Sequence, residues 1–302
     1  MMRAPEKSDV RVDALRALDV CCGAGGLSIG LSRAGFSVSG VDDLPVAVET
    51  YRRHAPATLA DIRTWCPEGP VDLVAGGVPC QPFSAAGRQG GFCDDRGRLY
   101  LDLIRIASEA SARCVLLENV PGLRSNQVAM REIVRAMQAA GFVVDGPVVL
   151  DAADHGVPQH RRRLFLLGVR GRVRWNGWPS TTHGSPGLPP WKTVRDAVGL
   201  PVDKPCATIL ATEYKGASLS DLTRRQGARK ASGWIARQMH EAGLVPQMRL
   251  TLEQCAALQG FPPGMVFSGS LKDQYVLVGN AVPPPLAAAV GGSIHEALSE
   301  PP

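Results

Sequence analysis

Ala17-Leu18-Asp19-Val20-Cys21-Cys22-Gly23-Ala24-Gly25-Gly26-Leu27-Ser28-Ile29-Gly30-Leu31, residues 17–31, passes from a β-rich run through a glycine turn into a helical period. Residues 17–21 read as a strand. Leu27, Gly30, Leu31 and Ala34 recur at i, i+3, i+4 and i+7, one face of a helix, and Gly35 is placed to end it in the left-handed conformation. Glycines between a strand and a helix let a ligand lie against bare backbone, where free N–H groups welcome an anionic group. The spacing is not GxGxxG, so this stretch alone indicates a nucleotide-like ligand and nothing narrower.

The pattern repeats downstream. Phe36 to Val41 is a second strand, ending at Asp42-Asp43. An acid at that place can accept both hydroxyls of a ribose. Asp42 suits that role, because Asp43 can cap the helix that Pro45 opens. Ala57 to Ala60 is a third strand, followed by Asp61-Ile62; Val71 to Ala75 is a fourth, leading to Gly76-Gly77-Val78-Pro79-Cys80-Gln81-Pro82-Phe83-Ser84. Prolines on both sides of Cys80 remove amide donors and pre-set the backbone, which suits display of a nucleophilic thiol rather than strand pairing. A loop of roughly 20 residues follows, a length that usually serves function, before Leu99, Leu103, Ile106 and Ala110 resume a helical face.

Cys114 to Leu117 is a buried strand that stops at Glu118-Asn119-Val120-Pro121, putting a carboxylate at a strand mouth. Ser125 or Asn126 can cap the next helix, and Phe142 to Leu150 is a further strand, interrupted at Gly146-Pro147. Gln159-His160-Arg161-Arg162-Arg163 then runs into the apolar Leu164 to Val169. Alternation turns Gln159, Arg161 and Arg163 to one side, with one arginine aimed into the site. Alternating strands and helices specify a mostly parallel sheet covered on both faces, with ligands beyond the carboxyl ends of the strands. Gly23 to Gly26, Asp42, Asp61, Cys80 and Glu118 all follow strand ends and therefore converge on one edge.

Composition narrows the class. Only 5% of the chain is aromatic, so the core leans on aliphatic side chains, and the eight cysteines contain no CxxC pair, which argues against a zinc site and a disulfide framework. The charged start lacks a secretory h-region, and no apolar run reaches the roughly 20 residues of a membrane span. The expectation is a cytoplasmic protein with reduced thiols and no membrane association. The net charge is +5, and the stretch from Lys215 to Arg237 accounts for all of it, with Lys215, Arg224, Arg225, Arg229, Lys230 and Arg237 against Asp221. Arg170, Arg172 and Arg174 add a second basic patch, and the two together suit a polyanionic partner. Residues 172–192, rich in Pro, Gly, Trp and Ser, mark a domain boundary. A short helix is expected between Trp191 and Leu200. Thr251 and Gln254 form a capping box for a helix that Gly260 ends, and Gly279-Asn280-Ala281-Val282-Pro283 opens an apolar helix, Pro284 to Leu298.

In this order and spacing, these stretches resemble the DNA (cytosine-5)-methyltransferases of bacterial or phage type. The resemblance spans nearly all of the chain except residues 1–15 and the middle of 172–248. It implies an α/β, Rossmann-like sheet that uses S-adenosylmethionine, and no metal. The implied domains are a catalytic and cofactor domain of residues 1–171 plus 274–302 and a small irregular target-recognition domain of residues 172–273. Cys22, Gly23, Ala24, Gly25, Gly26 and Leu27 match the cofactor loop, Asp42 and Asp43 the ribose acid and its neighbour, and Asp61 and Ile62 the adenine contact. Pro79, Leu99, Asn280, Ala281 and Val282 complete the implied cofactor set. Cys80 matches the nucleophile, Glu118 the acid, Arg163 the arginine that holds the base, and Arg161 its support. Implied nucleic-acid contacts are Gln81, Ser84, Arg88, Arg96, Asn119 and Gln159, joined by the basic residues Lys215, Arg224, Arg225, Arg229 and Lys230. The implied partner is double-stranded DNA, bound by a monomer in the cleft between the domains, with a cognate restriction endonuclease acting separately.

The chemistry accounts for these residue types. C5 of cytosine is a weak nucleophile, and a thiolate adding at C6 pushes electron density onto it. A carboxyl group kept protonated by burial assists at N3, and an arginine at O2 offsets the developing charge. A base inside a duplex must be flipped out to be reached. The chain departs from the family at Cys21, where an aromatic residue is usual and a cysteine implies weaker cofactor affinity, at Ala86, often serine, and in its short recognition region. Two rivals share the motifs: an RNA (tRNA) cytosine-5 methyltransferase, whose Cys-Phe-Thr insertion is lacking here, and a DNA-binding homologue without turnover.

Overall fold

The computed structural model describes residues 14–78, 98–213 and 250–300. Its centre is a seven-stranded sheet in the order β3-β2-β1-β4-β5-β7-β6. Strand β1 (Arg16–Val20) lies parallel between β2 (Ser37–Asp42) and β4 (Leu73–Gly76). Strand β3 (Ala57–Leu59) extends the β2 side, and β5 (Cys114–Asn119) runs parallel beside β4. Strand β7 (Arg162–Val169) is antiparallel to both β5 and β6 (Val143–Asp151). The expected mostly parallel sheet is present, with one reversed strand inserted near its edge.

Chain order determines where a ligand can bind. From β1 the chain moves outward through β2 and β3, then returns to β4 and β5 on the other side of β1. That reversal leaves a crevice beyond the carboxyl ends of β1 and β4. Because β7 is reversed, its N-terminal end reaches the same edge: Glu118 stands opposite Phe165 and Asn119 opposite Leu164. Arg163 is two residues before Phe165, so it shares a face with Glu118.

Alternation along the strands feeds two apolar layers. Leu18, Val20, Val74, Val115 and Leu117 pack on one face with α3 (Leu99–Glu109) and α4 (Gln127–Ala139). Ala17, Leu73, Ala75, Leu116 and Phe165 pack on the other with α1 (Gly26–Arg33) and the C-terminal helix, Pro284–Ser299. Helix α2 (Pro45–Tyr51) starts from Leu44 and takes no side-chain cap, so Asp43 does not cap it; Asp42 instead accepts the Leu44 N–H. Asn126 caps α4 by accepting the Ala129 N–H.

A third cluster joins α5 (Val194–Val198), α6 (Leu252–Gln259) and α7 (Leu271–Asn280), with the C-terminal helix following as α8. The Thr251–Gln254 capping box forms, and Gly260 closes α6 at φ 84°. This cluster includes Ala24 of the glycine turn and Ala47 of α2. The described parts of the expected 172–273 domain therefore pack directly on the sheet domain. Among the described residues no single helix is long and apolar enough to cross a membrane, and no group of His, Cys, Asp and Glu is arranged to hold a metal.

Candidate active site

The crevice at the strand reversal is a cleft of about 670 Å3, within the size range of small-molecule sites. The glycine turn forms one wall. Cys21, Gly23 and Gly25 have φ of 58°, 52° and 79°, conformations that glycine adopts freely and a cysteine only under strain. A Cβ on Gly26 would stand 2.2 Å from the Val282 carbonyl oxygen. Turn and C-terminal segment are therefore in backbone contact, which brings Asn280, Ala281 and Val282 into the same wall. Of the residues expected to hold a cofactor, Cys22, Gly23, Ala24, Gly26, Leu27, Asp42, Asp43, Asp61, Ile62 and Leu99 also line this cleft. Gly25 stands behind the turn, where a Cβ would meet the His54 imidazole.

The acids differ in how they are held. Asp42 is buried; its Oδ2 accepts the Gly23 N–H and its Oδ1 the Leu44 N–H, both at 2.9 Å. Burial raises its pKa, while these two backbone donors draw it back. Asp43 is exposed at the rim. Asp61 grips Arg63, with Nε 2.9 Å from Oδ1, and that bond holds its carboxyl below the usual range. Asp19 opens the stretch that resembles the cofactor loop, although the sequence assigns it no role of its own. It is 2% exposed, lines the cleft and accepts the Ser28 hydroxyl at 2.8 Å, and Ser28 in turn meets the Tyr51 hydroxyl. Burial pushes Asp19 up to about 8. An acid inside an otherwise apolar strand was the available signal. Leu44, Val276 and Leu277 also line the cleft without having been anticipated.

Glu118 and Arg163 meet in the same cleft, with Nε 2.9 Å from Oε1. Gly77 makes room for them, since a Cβ there would stand 2.7 Å from Glu118 Oε2. Burial raises the Glu118 pKa; Arg163 and then Arg161 pull against it, and burial dominates. Arg161 takes part differently. It is fully buried, and its guanidinium donates to the carbonyls of Ile209 at 2.9 Å and Gly279 at 2.8 Å, tying β7 to the end of α7.

One expected nucleic-acid contact, Gln159, is corrected, and Asn119 lines the cleft. Gln159 is fully buried; its amide donates to the Leu258 carbonyl and to Gln259, and its oxygen accepts the Ile209 N–H at 2.8 Å. It bonds the interior of the α5–α7 cluster and faces no solvent. Asn119 is 6% exposed, and its amide donates to the Val78 carbonyl at 3.1 Å. It therefore anchors the chain two residues ahead of Cys80. Pro79, Cys80, Gln81, Ser84, Arg88, Arg96, Lys215, Arg224, Arg225, Arg229 and Lys230 lie outside the described residues.

The sequence matches the C-5 cytosine-specific DNA methylase family over residues 15–244 and 211–296. The chain belongs to that family. It is similar to the Type II methyltransferase M.NgoMIV of Neisseria gonorrhoeae, 32% identical over 316 residues that span 94% of this chain and 98% of the relative. Likeness to the Type II methyltransferase M.NaeI of Lentzea aerocolonigenes is 31% over 95% of this chain and 76% of that one. Among solved structures, DNMT2 of Spodoptera frugiperda superposes with a TM-score of 0.68 at 17% identity, covering 93% of this chain and 99% of that one. That likeness concerns the fold. As a DNA cytosine-5 methyltransferase, the protein belongs to a family that implies S-adenosylmethionine as methyl donor. The cleft fits such a molecule by its volume, by its acidic lining of Asp42, Asp43 and Asp61, and by Gly23, where even a Cβ would meet no protein atom.

Proposed function

We propose that this methyltransferase modifies C5 of a flipped cytosine in a short specific sequence of duplex DNA, through a covalent bond between Cys80 and C6. The observation that carries this reading is the Glu118–Arg163 pair at 2.9 Å, in the cleft wall that also holds the glycine turn and Asp42. S-adenosylmethionine supplies a methyl group on a sulfonium. Asp42, fixed by two backbone N–H groups, orients the ribose, and Asp61 and Ile62 border the adenine. Cys80 adds as thiolate at C6. Glu118, whose pKa burial raises, donates a proton to N3, and Arg163 holds O2 as negative charge develops. C5 takes the methyl group, and loss of the C5 proton to water, with return of the N3 proton to Glu118, then expels Cys80 as thiolate. Arg161 supports the site by holding Gly279, beside Asn280 of the cofactor wall.

Residues 172–273 would read the sequence, and the basic stretch from Lys215 would contact phosphates. The enzyme would act as a cytoplasmic monomer. The Type II names of its relatives suggest a separate cognate endonuclease. Bisulfite sequencing of plasmid DNA from cells expressing this chain, beside Cys80→Ser, tests the reading. Protected cytosines at one short motif in the wild type alone are expected. Equal conversion in both, with soluble protein present, would overturn it.

A further inference from the structure

Among the described residues the cleft has more acids than cations. Glu118 is taken by Arg163 and Asp61 by Arg63. Among the described residues Asp42 has backbone donors, and Asp19 accepts from the hydroxyl and the backbone N–H of Ser28, neither of them a cation. Asp19 lies on β1, flanked by β2 and β4, and it is the acid most deeply set in the cleft wall. The groups that act on it are Ser28 from α1, Asp42 from β2 and Glu118 from β5, with Tyr51 of α2 one hydroxyl further on. Among the described residues these act on it most strongly; two are acids and none is a cation.

We propose that Asp19 is the proton-exchanging counter-charge of the methyl-donor site: it gives up a proton when the sulfonium donor binds and does so far less for the neutral thioether product, so the enzyme distinguishes the two by charge. The inference rests on the cofactor reading above. The donor carries a sulfonium, an ammonium and a carboxylate, net positive; after methyl transfer the sulfur is neutral and so is the molecule. A buried carboxylate without a cation partner is costly, so the empty-handed site holds its proton. A cation placed in the same cleft favours the charged form, and the proton leaves to solvent. The product lacks that charge and leaves Asp19 protonated. By linkage, donor affinity rises with pH up to the free-state pKa of Asp19, about 8, and product affinity follows it only weakly. The ratio of donor to product affinity therefore grows over the same window.

The test is calorimetric titration of the full chain with S-adenosylmethionine and, separately, with S-adenosylhomocysteine, in buffers of differing ionisation enthalpy near pH 6.5, where the α-amino groups of both ligands are protonated. The dependence of apparent enthalpy on buffer counts the protons exchanged. The expected result is release of on the order of half a proton more for the donor than for the product, and loss of that difference in Asp19→Asn. Equal counts for both ligands, or an unchanged difference in Asp19→Asn, overturns the inference. If that variant does not fold, the wild type repeated near pH 9 decides: release on donor binding should vanish there, and undiminished release overturns it. Absence of donor binding altogether overturns the cofactor reading as well, and so marks a different failure.

Discussion

Glu118 and Arg163 make opposing demands on one another. The ion pair favours the carboxylate, while burial favours the acid that the chemistry needs, and burial wins in this cleft. Glu118→Gln keeps the shape and removes the transferable proton. Single-turnover methyl transfer should fall by about 10²- to 10⁴-fold, while cofactor binding measured by calorimetry changes little. An unchanged single-turnover rate would remove Glu118 from proton donation. Asp19 allows a second prediction, on stability. Its pKa lies above the ordinary carboxylate value of 3.8, at about 8, because of burial. Between those limits the folded chain keeps a proton that the unfolded chain has lost. Stability contributed at this position is therefore greatest below about pH 4 and declines as pH rises to about 8. Asp19→Asn carries no such penalty, so its urea midpoint should gain on the wild type as pH is raised from about 5 to about 8. A constant gap would show that Asp19 is ionised in the folded state.

Helix α1 shows how closely the glycine turn depends on a distant part of the chain. A Cβ on Gly30 would stand 2.3 Å from Ala287 Cβ and 2.6 Å from the Pro284 carbonyl oxygen and the Ala288 nitrogen, all in α8. Alanine at position 30 gains about 1 kcal/mol in helix propensity, but overpacking against backbone costs about 1–3 kcal/mol. The clash should win, and Gly30→Ala should lower the denaturation midpoint, whereas a raised midpoint would mean that α8 yields easily. The helical period of α1 was readable from Leu27, Gly30 and Leu31, because spacing alone reports it. That Gly30 serves α8 was not readable, since the contact joins residues far apart in sequence. The same separation explains Gln159. Alternation placed it on the side of Arg161, but its partners Leu258 and Gln259 come from α6, about a hundred positions along, and they turn an apparent DNA contact into an interior bond. The strand ends, the acid after β2 and the Glu118 mouth were legible because each is a local pattern with a chemical reason.

Across the molecule, the sheet and the described part of residues 172–273 share one apolar cluster and a buried arginine. Arg161→Lys loses the fork that spans the Ile209 and Gly279 carbonyls, and an ammonium cannot reproduce that geometry. Lower stability together with weaker cofactor binding is expected, because Asn280 of the cleft wall follows Gly279 directly. Unchanged calorimetric affinity would confine Arg161 to folding. The charge distribution sets the last prediction. The stretch from Lys215 to Arg237 equals the whole net charge of +5, so the remainder of the chain sums to zero and its other basic patch, at Arg170, Arg172 and Arg174, is offset elsewhere. If that stretch contacts phosphate, each contact releases counterions and adds about 0.9 to the salt slope of duplex affinity. Replacing Arg224, Arg225, Arg229 and Lys230 by glutamine should weaken binding alike across DNA sequences and flatten the slope by up to about 3–4. Cofactor affinity is the control and should stay as it was. An unaltered slope with weakened binding at one sequence alone would mean that these side chains read bases instead, and that phosphate attraction arises elsewhere on the chain.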